Sequence, residues 1–545
     1  MPTIILDRSR VTRRIKISDK ELNEVLFSLK AESKEIDRQY IEVEVNADRP
    51  DMLISEGIVR AAKGILGLEK GEAIYRSRTS GLTFNVSRVR TRPYALAAAV
   101  YGLELDEEGL RELIQFQEKL HATLGRKRKK VAIGLHDLRK VGSDSISYIE
   151  VDLSKKFVPL GHKEEMSVKD VLVNTEQGKN YGEIAVSGSS MPAIVDEKGD
   201  VLSLPPVINS ERTRISTETR DLFIDVTGTS FEAVAETLDV IVANLGEAGG
   251  VIGFVDVKGA PVTISPLLRH TEVKVPKSYV NEVIGVELNE DEIVEHLSRM
   301  RYNTQRGDSY VKVVVPPYRV DVISEIDVVE DVAMSMGYNN LRPEIYVYYR
   351  KGDTDLRHDL ISQVRELLIG AGFLEIMTFV LTHSSLLMGR YAQIKNPISD
   401  YFNAVRNSLI PTTLSLLSSN QTVSMPVKVF EVGEVVISPC DSDTGYCNET
   451  RAAAAVMDSE ISYEDIQAPV HSVLKSLGLS PRYKRTASPY FIPGRVALIM
   501  HGSEEIGILG EVSIDWLNRL NIEYPVAIGE IYLDALLRVL KGKRD

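Results

Sequence analysis

The stretch Pro316–Asn340, PPYRVDVISEIDVVEDVAMSMGYNN, closes one element and builds the next. Upstream, Val311, Val313 and Val315 alternate along a strand that Pro316-Pro317 ends. Ser324 fits an N-cap and Gly337 a C-terminal stop, so a helix is predicted between them. Ile326, Val329, Ala333 and Met336 recur at i, i+3, i+7 and i+10, which predicts one buried stripe. Asp327, Glu330 and Asp331 stand beside that stripe, and Asp321 lies just upstream. Asp327–Asp331 is an i, i+4 pair and Asp327–Glu330 an i, i+3 pair, so like charges crowd one helical face. Two readings follow: a solvated acidic face favoured by the helix dipole, or oxygen ligands for a hard cation, Mg²⁺ above all.

A chain of 545 residues exceeds what one core organises and predicts roughly three to five domains. With 43% hydrophobic and 26% charged residues the composition is that of a soluble globular protein. The net charge of −13 repels nucleic acid as a whole, so any RNA contact must come from local basic patches. Cys440 and Cys447 are too few for a disulfide framework and their spacing fits no common zinc site; they read as incidental in a reducing cytoplasm. No apolar run is long enough to span a membrane and no leader-like apolar segment opens the chain. A cytoplasmic location without membrane attachment is expected.

Residues 1–75 read as a small unit. Ser18 and Glu21 form a capping box before a helix with Leu22, Val25, Leu26 and Leu29 on one face. A strand (Ile41, Val43, Val45), an Asn46–Asp51 turn and a second helix up to Gly67 follow. Residues 80–265 form the largest unit. A helix carrying Leu110, Leu113, Ile114 and Phe116 runs towards Arg126-Lys-Arg-Lys-Lys130, the densest positive charge in the chain. These cations read equally as a phosphate contact or a solvated loop.

From Met191 to Thr229 a Glu197–Asp200 hairpin is followed by Pro205-Pro206, which leaves Asn209, Ser210, Glu211 and Arg212 in irregular backbone, and the strand Leu222–Val226 delivers Asp225 and Thr227 to a Gly228 turn. Small polar side chains so placed either line a pocket that reads a hydroxyl or serve ordinary turn chemistry. Residues 270–342 read as a helix–helix–strand–helix module. Residues 345–545 read as an antiparallel sheet with peripheral helices, its strands near Met377–Leu381, Val427–Val432, Ala452–Val456, Arg495–His501 and Gly507–Val512. No phosphate-binding loop, dinucleotide fingerprint, zinc pair or nucleophile elbow is present.

Taken together these stretches resemble the beta subunit of heterotetrameric phenylalanyl-tRNA synthetase, archaeal and eukaryotic type. VNADRPDMLISEGIVRAAKGILG (Val45–Gly67) is similar to its N-terminal signature. VAIGLHDL, FVPLGHKEEMS, LPPVINSERTRI and LFIDVTGT are similar to its editing domain. Val315–Asn340 resembles its B5 module, and Asn396–Asn420 with VFEVGEVV (Val429–Val436) its catalytic-like domain. The resemblance implies an α+β multidomain protein with an N-terminal B1-like domain, a B3/B4 editing domain, a helical B5 module and an antiparallel, class II synthetase-like C-terminal domain. That last domain lacks the class II motifs: Gly529–Asp534 has no arginine where a working core needs one, and Arg406 reads as packing or a partner contact.

The implied function is that of a phenylalanine–tRNA ligase subunit. No aminoacylation residue lies in this chain; phenylalanine, ATP and tRNA(Phe) react on an alpha subunit, in an (αβ)₂ complex. An apolar pocket rejects an added hydroxyl only about a hundredfold, so tyrosine requires a second, hydrolytic site. For it the resemblance offers Ser203, Asn209, Glu211, Asp225 and Thr227: Asp225 and Thr227 as readers of tyrosine, Asn209 or Glu211 as positioners of water. It also assigns Asp321, Asp327, Glu330 and Asp331 to a Mg²⁺ shared with the alpha subunit. The alternatives are a stand-alone deacylase and a non-enzymatic tRNA-binding scaffold.

Overall fold

In the computed structural model, which describes residues 2–541, the chain divides into two units, Met1–Ile345 and Tyr346–Asp545. Among the described residues no helix is long and apolar enough to cross a membrane.

Besides a two-stranded ribbon of Lys156–Phe157 with Met166–Ser167, the first unit holds three main sheets, one in each of the segments separated by sequence. They do not keep separate interiors. One hydrophobic core runs from Ile4 and Leu6 through Phe84 and Phe223 to Val329 and Met334. Near the N-terminus, strand Tyr40–Val45 lies between Thr3–Asp7 and Ala31–Glu35, with Ile41, Val43 and Val45 inward. Helix Asp19–Ser28 starts at the Ser18/Glu21 capping box and buries Leu22, Val25, Leu26 and Leu29 as predicted. Helix Ser55–Ile65 packs beside it, and Gly67 ends its run at φ 72°.

The large sheet is ordered Ile208–Asn209, Val201–Leu204, Ser190–Val195, Ser145–Asp152, Ser77–Val86, Val251–Lys258, Tyr94–Tyr101, Leu222–Gly228, Val131–Asp137. Only the pairings of Ser77–Val86 with its two neighbours are parallel along this path. Helix Phe231–Glu247 covers one face through Val234, Leu238, Ile241 and Leu245. The sheet curls until its two end strands meet: the Asn209 amide nitrogen, on one edge, donates to the Leu135 carbonyl on the other at 3.3 Å.

The third segment differs from the expected helix–helix–strand–helix. Strands Thr271–Pro276 and Asn303–Arg306 flank Tyr310–Val315, so it carries a three-stranded sheet. Both flanking strands are short and mostly exposed: Asn303–Arg306 has no hydrophobic residue, and Thr271–Pro276 alternates only through Val273 and Val275, too short a pattern to mark a strand. The helix Glu325–Met336 forms between Ser324 and Gly337, but its buried stripe is rotated from the predicted one. Ile326 is 44% exposed, whereas Val328 and Val332 are fully buried and Asp331 is 3% exposed. A buried carboxylate that finds cationic and phenolic partners turns its side of the helix inward.

The second unit is a seven-stranded sheet: Leu374–Glu375, Val427–Ile437, Cys447–Met457, Val526–Tyr532, Glu504–Val512, Phe491–His501, Arg482–Arg485. All neighbours are antiparallel except the first pair. Alternation sends Ala452, Ala454 and Val456 to one face, against helices Leu356–Gly370, Glu464–Ser476 and Leu533–Lys541. Ala455 and Met457 face helix Ile410–Ser418 on the other.

Two expectations need correction here. The strand expected around Met377–Leu381 forms only at its end, as Leu381–Thr382 paired with Ala404–Val405; before it the Thr378 amide and hydroxyl turn to the Glu431 carboxylate instead of a ladder, and Met377 is 91% exposed. Cys440 and Cys447 are bonded to each other, the hairpin from Ile437 having brought their Cα atoms to 6.0 Å.

Candidate functional site

Where the large sheet closes on itself, a cavity of about 410 Å³ opens at the seam. One wall is the strand Val131–Asp137 beside Leu222–Gly228. The other is the end of Val201–Leu204 with Pro205, Pro206 and Asn209, and helix Glu107–Ala122 closes a third side through Ile114, Glu118 and His121. The size matches small-molecule sites, as does the mostly apolar lining with a few polar groups.

Ser203, Asn209 and Asp225 all line this cavity. Ser203 and Asn209 are directly opposed across their two strands. Ser203 is 2% exposed, and its hydroxyl has no hydrogen-bond partner. A buried hydroxyl left unpaired costs roughly 1–3 kcal/mol, and this one lies on the cavity wall. Asp225, 1% exposed, faces Gly134 across the ladder. A Cβ at Gly134 would stand 2.0 Å from the Asp225 Oδ2, so only glycine lets the carboxylate lie over the strand.

Sequence reasoning overlooked the support behind Asp225. His136, wholly buried, holds Asp225 Oδ2 through Nε2 at 2.9 Å and the Thr213 hydroxyl through Nδ1 at 2.7 Å. Since a carboxylate only accepts, Nε2 carries the proton and Nδ1 accepts from Thr213. The period-two relation of Gly134 to His136, opposite Asp225 and Phe223, is the signal that could have found it. A second missed group is Glu118–His121–Arg128. Ile133 N–H donates to His121 Nε2 at 2.9 Å, which puts the ring proton on Nδ1, facing Glu118 at 3.1 Å. Burial, then the Arg128 charge, pushes the His121 pKa down. Burial resists the Glu118 charge, but His121 and Arg128 outweigh it and hold the carboxyl below its usual range.

The other two residues expected here stand back from the cavity. Thr227 is buried with its hydroxyl accepting from Arg92 Nε at 3.3 Å, and its carbonyl accepts from Arg92 Nη2 at 2.7 Å. Glu211 accepts from the Gly161 amide at 2.7 Å and from Arg214 at 3.2 Å, so it pins the Leu160–Gly161 lip. That amide, first, then Arg214, lowers its pKa against some burial.

The four carboxylates of the acidic helix do not converge. Arg319 binds Asp321 with two nitrogens, at 2.9 and 2.7 Å, and reaches Asp331 at 2.7 Å, where the Tyr302 hydroxyl also donates. Asp327 caps its own helix, accepting from the Ser324 and Ile323 amides at 2.7 and 2.8 Å. Glu330 pairs with Lys30 at 3.0 Å, and Lys30 also reaches Asp48. Among the described residues no three acidic, histidine or cysteine groups are arranged to hold a metal. These side chains therefore do not fit a magnesium ion as a set; the cations that relieve the crowding are Arg319 and Lys30.

Family models match three stretches: the B3/4 domain at residues 84–242, the tRNA synthetase B5 domain at 273–338 and the phenylalanyl tRNA synthetase beta chain CLM domain at 346–533. The phenylalanine–tRNA ligase beta subunit of Saccharolobus solfataricus is 51% identical over the whole of both chains. That of Sulfurisphaera tokodaii is 49% identical over 99% of this chain and all of its own. An N-terminal fragment of the Pyrococcus horikoshii phenylalanyl-tRNA synthetase beta subunit superposes with a TM-score of 0.59 at 36% identity, covering 62% of this chain and all of that fragment. With full-length relatives at this identity and the B3/4, B5 and CLM domains in order, the chain belongs to the phenylalanine–tRNA ligase beta-subunit family.

Proposed function

We propose that this chain is the proofreading and scaffolding half of a phenylalanine–tRNA ligase, and that its cavity hydrolyses tyrosyl-tRNA(Phe). The observation that carries the reading is the convergence of Ser203, Asn209 and Asp225 on one buried cavity with the Ser203 hydroxyl unpaired. Tyrosine differs from phenylalanine by one hydroxyl, and a buried polar site lacking its partner discriminates far better than an apolar one. Asp225, held by His136, accepts a hydrogen bond from the phenolic hydroxyl, which keeps its proton, and Ser203 bonds the same oxygen or the ester. Asn209 steadies the seam. Water adds to the ester carbonyl, the bond to the terminal ribose oxygen breaks, and the proton ends on that oxygen. Rate then comes from placement rather than from a strong base.

Aminoacylation falls, in this proposal, to an alpha subunit that binds phenylalanine and ATP, within an (αβ)₂ assembly in the cytoplasm. The relatives' printed name, beta subunit, itself presupposes such a partner. In the second unit two arginines are already engaged: Arg406, just after the short strand Ala404–Val405, with Glu431, and Arg451, on strand Cys447–Met457, with Glu530, both at 2.8 Å. That leaves neither for a nucleotide phosphate and supports a class II-like core without its own chemistry. The same unit exposes Met377, Phe379, Ile398 and Tyr401, apolar area suited to a partner. No step of the proposal runs through a metal ion. The test is deacylation of tyrosyl-tRNA(Phe) by Asp225→Ala: a fall of about a hundredfold is expected, and undiminished hydrolysis removes Asp225 and the cavity from the reading.

A further inference from the structure

The basic run Arg126–Lys130 forms the rim between helix Glu107–Ala122 and strand Val131–Asp137, and its backbone is unusual. Arg126, Lys127 and Arg128 all lie in the left-handed region, with φ 47°, 55° and 64°. Left-handed residues other than glycine normally occur singly. Three in succession persist only where the surroundings over-determine them, which is a pointer to function.

The clamp can be traced. Arg128 lines the cavity; its Nη1 donates to the Pro206 and Val207 carbonyls at 3.0 and 3.2 Å, and its Nη2 to Glu118 at 2.7 Å. Its guanidinium lies 4.6 Å from the Tyr181 ring centre. Behind the turn, buried Arg92 donates to the Arg128 carbonyl at 3.0 Å and to that of Thr227 at 2.7 Å, tying the turn to the strand that carries Asp225. The two terminal nitrogens of Arg128 are thus engaged with protein acceptors, while its Nε is buried without one. Arg126, Lys127 and Lys129 are exposed, and among the described residues no hydrogen bond or ion pair occupies their side chains. A chain of net charge −13 holds three uncompensated cations on a rigid turn at the cavity's rim.

We infer that this turn is a phosphate-binding element that seats the single-stranded 3′ end of an RNA, so that its terminal ribose ester enters the cavity. The inference rests on the editing reading above for the identity of the ester. Three point charges without an aromatic platform fit successive phosphodiesters rather than bases, so the contact is electrostatic and indifferent to sequence.

The test uses the full-length chain and a fluorescent single-stranded oligoribonucleotide with a free 3′ hydroxyl. Arg126→Ala/Lys127→Ala/Lys129→Ala is expected to weaken binding at least tenfold at low salt. It should also flatten the slope of log K against log salt by roughly 2, since each single-strand phosphate contact contributes about 0.7. The charge-conserving Arg126→Lys/Lys127→Arg/Lys129→Arg should bind as the parent does. Unchanged affinity and slope in the alanine variant overturn the inference, as does equal loss in the charge-conserving one. So does normal RNA binding with lost co-purification of an alpha subunit, which makes the turn a protein contact. Should the alanine variant not fold, the parent chain decides, and a salt slope shallower than about −2 counts against it. Hydrolysis of tyrosyl-tRNA(Phe) separates the two readings: the turn variant raises KM with kcat kept, whereas Asp225→Ala lowers kcat with oligonucleotide binding kept. Full hydrolysis by Asp225→Ala beside lost RNA binding in the turn variant sinks the editing reading and leaves the phosphate element standing.

Discussion

The seam cavity and the acidic helix Glu325–Met336 look alike on paper: each is a knot of carboxylates and small polar groups beside an apolar element. Their hydrogen-bond accounts are opposite. At the helix, Asp321 and Asp331 meet Arg319, Asp327 meets two backbone amides and Glu330 meets Lys30. At the seam, Asp225 is oriented from one side by His136 while Ser203 faces an open volume with nothing to bond. Arg319 Nη1 is also buried without a partner, so what separates the two is an unpaired group lining a cavity, as Ser203 does, not residue type or an unpaired atom alone. Paired carboxylates fix geometry, whereas an unpaired hydroxyl on a cavity wall is left with bonding capacity facing a void.

The contrast breaks most visibly at Arg319. Its guanidinium is buried and serves two carboxylates, and their charge outweighs burial to raise its pKa well above the usual range. Arg319→Ala leaves Asp331 buried without its cation, and loss of one partner of a buried pair costs about 3–5 kcal/mol. Urea unfolding of the first unit should show that loss as a lower midpoint with an unchanged slope. A loss under about 1 kcal/mol would mean the helix is not held by this network, and the contrast with the seam would collapse.

Ser203→Ala sharpens the comparison from the other side. Because the buried hydroxyl has no partner, its removal should not destabilise the chain and should raise the unfolding midpoint, by up to about 1–3 kcal/mol. Hydrolysis of tyrosyl-tRNA(Phe) should fall about tenfold, the worth of one hydrogen bond to a ligand. Marked destabilisation with full hydrolysis would place Ser203 among the scaffold residues.

How much of this could be read beforehand follows from range of interaction. Local signals translated directly: the Ser18/Glu21 box, the Val311, Val313, Val315 alternation and the Glu197–Asp200 hairpin all formed. The helix around Ile326 was also legible, but its rotation was not, since Asp331 is drawn inward by Tyr302 and Arg319, residues outside the helix. Likewise the run of polar residues from Ser203 to Thr227 was visible, yet which of them share a cavity depended on the curl that brings Asn209 to Leu135. Thr227 looked equivalent to Asp225 two positions away until Arg92 took its hydroxyl. His136 was missed because a lone histidine on an apolar strand carries no local mark of its partners. The repulsion argument counted charges within one helix, whereas the cations that meet them, Arg319 and Lys30, come from elsewhere in the chain.

The smallest expected effect tests that last correction. An ion that binds the folded chain at a hundred times its Kd adds about 2.7 kcal/mol of stability. If Arg319 and Lys30 are the cations that balance this helix, millimolar magnesium at constant ionic strength should shift the unfolding midpoint of the full-length chain by less than about 0.3 kcal/mol, far below that linkage figure. Lys30→Met makes the null informative, for it strips the cation from Glu330 and Asp48 while leaving Asp321 and Asp331 on Arg319. A magnesium response confined to this variant would show that Lys30 stands where an ion could bind. A response in the parent chain would show that the carboxylates keep capacity after all, and the helix would have to be moved from scaffold to site.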